Sequence, residues 1–183
     1  SPAGVPDQTT YTWDLPVIVS GNVSGMMAEA SPNTKFSQTL TNLGAVDAVL
    51  RYTVVPVSGG ITGRPFTITV RVLPNPSLIN KTPVTVCNMQ VFSYTAQSLT
   101  AGTSFNWTRA AVNNINNPAA SGTNTINETL INTSTDPVQV NYVFTLAANG
   151  CSNTEVLPVV VYPSYKLTSQ KVSTVCSNTT FHY

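Results

Sequence analysis

Along much of the chain, apolar and polar residues trade places every second position, the spacing of strands that bury one face and wet the other. Val140, Tyr142, Phe144 and Leu146 fall on one face, with Gln139, Asn141, Val143 and Thr145 on the other. Leu50, Tyr52 and Val54 alternate in the same way with Arg51 and Thr53, and Phe66, Ile68, Val70 and Val72 with Thr67, Thr69 and Arg71. No long stretch carries a 3.6-residue period, so helices are not expected. Between residues 77 and 163 the alternation and its turn breaks predict about seven antiparallel strands, near 84–87, 90–96, 103–110, 126–133, 138–147 and 155–162, plus a short edge strand.

The pattern repeats. Gln38-Thr39-Leu40-Thr41-Asn42 aligns with Glu128-Thr129-Leu130-Ile131-Asn132 at an offset of 90, and Leu50-Arg51-Tyr52 falls on Val140-Asn141-Tyr142 at the same offset. Tyr11-Thr12-Trp13 matches Phe105-Asn106-Trp107 at 94, and Val70-Arg71-Val72 matches Val159-Val160-Val161 at 89. Thr85-Val86-Cys87 with Phe92-Ser93-Tyr94 returns as Thr174-Val175-Cys176 with Phe181-His182-Tyr183, again at 89. The unit is therefore about 90 residues. The fold class is all-β, tandem immunoglobulin-like sandwiches with one complete and two partial copies: residues 1–76 lacking the first strands, 77–163 complete, and 164–183 carrying the first strands of a third. Trp13 and Tyr52 in the first unit, and Trp107 and Tyr142 in the second, are expected to fill the space between sheets. Both ends read as incomplete sandwiches, so the segment is expected to be cut from a longer array or completed by another copy.

Composition narrows the function. Only 15 of 183 residues are charged, the net charge is +1, and 17 Ser, 27 Thr and 18 Asn supply uncharged polar surface. No basic stripe is available for nucleic acid, and no apolar run is long enough for membrane insertion. The one histidine, His182, lies at the end of the chain. The carboxylates Asp7, Asp14, Glu29, Asp47, Glu128, Asp136 and Glu155 are scattered, and the three cysteines show no zinc spacing. Neither catalysis nor a cofactor or metal is expected.

Cys87 and Cys151 belong to the same unit and are expected to form a disulfide. Closing that loop stabilises a domain by about 4 kcal/mol on a chain-entropy basis. Cys176 repeats the position of Cys87 and is expected to be unpaired in this chain. Such usage suggests an oxidising, extracytoplasmic compartment. Six N-x-S/T sequons, at Asn22, Asn80, Asn106, Asn127, Asn132 and Asn178, fit an exposed secreted surface.

The elements Thr85-Val86-Cys87, Phe105-Asn106-Trp107-Thr108-Arg109 and Asn149-Gly150-Cys151, with Pro74-Asn75-Pro76 before them, resemble the PKD-like repeats of very large surface proteins from gliding Bacteroidota. That resemblance implies the stalk of a mobile adhesin exported by the type IX secretion system, extracellular and at the cell surface. The first unit departs from it, with Tyr11-Thr12-Trp13-Asp14 and with Ile61 in place of the cysteine. The leading expectation is a structural and adhesive filament segment whose partners are neighbouring repeats or identical chains. A strand-donating fibre or pilus subunit is the second. A carbohydrate-binding module, using Met26, Met27 and Glu29 or the polar stretch from Asn113 to Asn127 against surface polysaccharide, is the third.

Overall fold

The computed structural model describes residue 6, residues 8–166 and residues 172–182; Asp7 and Tyr183, singled out above, lie outside the described residues. Among these residues every regular element is a strand. The first unit holds β1 (Thr10–Trp13), β2 (Val17–Ser20), β3 (Val23–Ser24), β4 (Glu29–Asn33), β5 (Thr41–Asn42), β6 (Ala48–Ser58), β7 (Ile61–Thr62) and β8 (Phe66–Val72). The second holds β9 (Val84–Cys87), β10 (Val91–Thr95), β11 (Ser104–Arg109), β12 (Ala120–Thr123), β13 (Thr125–Thr129), β14 (Val138–Ala148) and β15 (Cys151–Tyr162). The fold is all-β and immunoglobulin-like.

In the second unit one sheet runs β12-β11-β14-β15-β9 and the other pairs β10 with β13. Every pairing is antiparallel except that of β9, which lies parallel on the outer edge of β15 with Val84 opposite Val159 and Cys87 opposite Tyr162. The inward residues meet between the sheets: Val140, Tyr142, Phe144 and Leu146 of β14 are fully buried, as are Leu157, Val159 and Val161 of β15 and Ile126 of β13. β15 begins four residues earlier than its polar start suggests. Asn149 and Gly150 both adopt left-handed φ, at 52° and 83°, and close a two-residue hairpin that pairs Ala148 with Cys151.

The first unit repeats the plan with gaps. β6 takes β8 and β7 on one side and β1 and β2 on the other, with β4 beyond β1. Gly59 and Gly60, at φ 57° and 78°, make the hairpin that Asn149-Gly150 makes in the second unit. The second sheet shrinks to the two-residue pair β3–β5. Trp13 and Trp107 are 5% and 6% exposed, each donating its indole N–H to a backbone carbonyl, that of Met27 at 3.1 Å and of Thr125 at 2.9 Å. Trp107 lies flat on Gly122 of β12, where a Cβ would come within 2.7 Å of the ring. Tyr52 and Tyr142 are fully buried.

Asn42 and Asn132 fix the same corner in each unit. The Asn132 amide donates to the carbonyls of Asp136 and Val161, both at 2.8 Å, and its oxygen accepts from the N–H of Ser134. Asn42 does the same with Val46, Val72 and Gly44. Asn132 therefore sits in a sequon with its amide buried and fully engaged, whereas Asn106 and Asn127 are exposed.

The junction is held. Pro74, Pro76 and Leu78 are buried, and Leu78 belongs to the second core. Glu155 accepts from the Leu78 N–H at 2.7 Å and from Lys81 Nζ at 2.9 Å, and Asn153 donates to the Pro76 carbonyl at 3.1 Å. Residues 172–182 are exposed and hold no strand, an element that requires an edge to pair with.

Candidate functional site

Three features of the chain have chemistry or open surface to offer. The first is a buried ionic network that sequence reading missed. Phe105, Trp107 and Arg109 share the inward face of β11, so alternation alone places the guanidinium in the core. Its side chain is 1% exposed and forks onto Glu128 through Nε and Nη2, both at 2.9 Å. Nη2 also donates to the Pro118 carbonyl at 2.7 Å, and the Tyr142 hydroxyl donates to Glu128 Oε2 at 2.6 Å. Burial pushes the Glu128 carboxyl up, but hydrogen bonds from Arg109 and Tyr142 outweigh it and hold the group below its ordinary value. The bond to Glu128 raises the Arg109 pKa against the opposing effect of burial. Burial, then the bond to Glu128, drives the Tyr142 phenol well above its usual range. Each shift favours the charge state that the hydrogen bonds require: Arg109 protonated, Glu128 ionised and Tyr142 neutral.

The first unit carries the uncharged counterpart of this network. The repeat offsets align Gln38 with Glu128 and Leu15 with Arg109, although Leu15 lies past the end of β1 and is 64% exposed. Tyr52 donates to Gln38 Oε1 at 2.6 Å. Both charges are gone together, which avoids leaving either one buried alone.

The second feature is an open edge. In the second unit β9 covers the outer edge of β15, and β10 covers β13. In the first unit neither strand has a counterpart among the described residues, and β8 pairs only with β6. Ile68, Val70 and Val72 are consequently only half-buried, whereas their matches Leu157, Val159 and Val161 are fully buried. The stretch from Phe36 to Leu40, which matches part of β13, forms no strand, and no strand among the described residues pairs with it. Phe36 fills part of the gap instead, with its ring centroid 4.5 Å from Trp13 and 4.8 Å from Tyr52.

The third is the cysteines, and here the expected bridge fails. Cys87 lies beside Tyr162 at one end of β15, while Cys151 opens that strand at the other end. The separation is on the order of 35 Å at the rise of a strand, against the 4.4 to 6.8 Å between Cα atoms that a disulfide usually spans. Both are free thiols, as is Cys176, which is exposed. The cause is where β9 pairs: it lies against only the last four residues of β15, at the end opposite the hairpin that holds Cys151.

The loops suggested for carbohydrate are committed to the fold. Met26 packs against the first core, and the Met27 carbonyl receives the Trp13 indole. Glu29 and Asp14 line a hollow of about 140 Å³ beside Trp13, whose ring is buried and offers no stacking face. In the stretch from Asn113 to Asn127, Asn116 donates its N–H to Ile131, and Asn117 bonds both Thr129 and Ile131, strapping the loop to the end of β13. Among the described residues no three His, Cys, Asp or Glu side chains come together as metal ligands.

The family to which the chain is similar follows the same two-unit division. A family model described as the PKD-like domain matches residues 4–76 and again residues 84–165. No curated protein matches the chain. Among solved structures, an endo-fucoidan hydrolase of glycoside hydrolase family 107 is similar at 13% identity and a TM-score of 0.32, over 87% of this chain and 24% of that one. A variant of the same enzyme is similar at 12% identity and a TM-score of 0.31, with the same coverage. The chain thus spans about a quarter of the length of these structures.

Proposed function

The chain belongs to the PKD-like domain family, and from that premise we propose that it is a structural and adhesive repeat segment of a large extracellular surface filament. PKD-like domains are generally non-catalytic modules of extracellular proteins. The observation that carries the reading is the junction: buried Pro74, Pro76 and Leu78, tied down by Glu155 and Asn153, join two copies of one sandwich without a loose linker. Repeats joined in this way transmit orientation from one to the next, which favours an extended stalk over a flexible tether. A surface poor in ions and rich in Thr and Asn suits many weak, hydrated contacts. The Thr-Val-Cys, Trp-Thr-Arg and Asn-Gly-Cys elements support the finer assignment to a mobile adhesin of gliding Bacteroidota, exported through type IX secretion. Its partners are then neighbouring repeats, identical chains and surface polysaccharide.

Electron microscopy of a polypeptide carrying several further repeats tests this. The expected image is a fibre with an axial spacing on the order of 40 Å, the length of an 11- or 12-residue strand with its turns. Compact globules without axial order would overturn it.

A further inference from the structure

The geometry points to the outer edge of β8 as an acceptor for the Ser173–Cys176 segment of a second copy of this chain. This self-association does not depend on the adhesive role. The second unit supplies the template. There Val84, Thr85, Val86 and Cys87 run parallel to β15 opposite Val159, Val160, Val161 and Tyr162. Shifting both sides by the repeat offset of 89 pairs Ser173, Thr174, Val175 and Cys176 with Val70, Arg71, Val72 and Leu73.

Acceptor and donor are each incomplete in the way the other remedies. Among the described residues the outer edge of β8 is unpaired, and the inward residues Ile68, Val70 and Val72 are only half-covered. The donor residues are exposed and form no strand, with Val175 51% accessible. In the template, Val86, the match of Val175, packs against the core of its unit. Adding a strand to an open edge satisfies backbone groups along the whole segment, and the inward valine contributes the side-chain specificity. Because acceptor and donor lie on different units of one chain, the contact is head-to-tail, and repeating it builds a chain of copies, open or closed into a ring.

Sedimentation velocity of the full chain over a range of concentrations tests the proposal. The expected result is concentration-dependent oligomers that disappear in Val175→Asp, a substitution at an exposed position outside both cores. The same variant should bind one equivalent of a synthetic peptide with the sequence of residues 81–95, which spans β9 and β10. Register is read by Leu73→Cys treated with a short bis-maleimide: the expected crosslink joins the introduced thiol to Cys176 of another copy, in preference to Cys87 or Cys151. Four results would each overturn the proposal: a native chain that stays monomeric, oligomers that survive Val175→Asp, a variant that ignores the peptide, or crosslinks to Cys87 or Cys151 instead.

Discussion

The two units offer a test of buried charge in which each is the other's control. Glu128→Gln leaves the Arg109 guanidinium in place, 1% exposed, with a neutral amide where it had a two-point carboxylate partner. Removing one member of a buried pair costs about 3–5 kcal/mol, because the survivor keeps its desolvation penalty. Adding Arg109→Leu removes the stranded charge and leaves a Gln–Tyr pair like the one Gln38 and Tyr52 form in the first unit. The double variant is expected to recover most of the loss and to lie within about 2 kcal/mol of the starting protein, as replacements of whole ion pairs do. Urea unfolding followed by fluorescence in a Trp13→Phe background isolates Trp107, and a double-mutant cycle then gives the coupling between the two positions. Additive costs, or a Glu128→Gln loss under about 1 kcal/mol, would refute the reasoning.

Other outcomes follow from the same geometry. The Glu128 pKa is lowered in the fold, so its contribution to stability is complete above the ordinary carboxylate value of about 4.3 and is lost as pH falls through the lower folded value. Acid titration of the second unit should show this loss, and the Arg109→Leu/Glu128→Gln chain should not. Val159→Ala should cost about 2 kcal/mol and the matched Val70→Ala about half as much, because only Val159 is fully buried; thermal unfolding of the two variants compares them. The native chain should take up three alkyl groups without reductant, as read by intact mass, and Cys87→Ser should leave stability unchanged. A genuine bridge would block two of the three labels, and its loss would lower stability by about 4 kcal/mol.

Much of this architecture was legible in the residues. Val84–Cys87 is a strand with the bounds that alternation and the flanking turn predicted, and β10, β11 and β14 end within a residue of expectation. Two strands have bounds that differ from the expected ones. β15 starts early because its first residues are polar, and the Asn149-Gly150 hairpin, not hydrophobicity, sets where it begins. β13 stops early, at Thr129, because beyond it the chain bonds to a loop and leaves only the bridge between Ile115 and Asn132. The cysteine pairing was illegible because alternation fixes which face a residue takes and says nothing of where along its neighbour a strand pairs. Arg109 was readable in principle: it occupies an inward position after Phe105 and Trp107, and an inward arginine demands a carboxylate. The joint change of Leu15 with Gln38 against Arg109 with Glu128 named the partner, once the two copies were aligned.

Backbone amide hydrogen exchange, resolved to single residues, tests most directly whether the chain holds one closed sandwich and one open one. The amides of Val159 to Val161, held between β14 and β9, should be protected to near the stability of their unit. Those of Val70 to Val72 that point away from β6 should exchange orders of magnitude faster in a dilute monomer. Equal protection at the two edges would contradict the account.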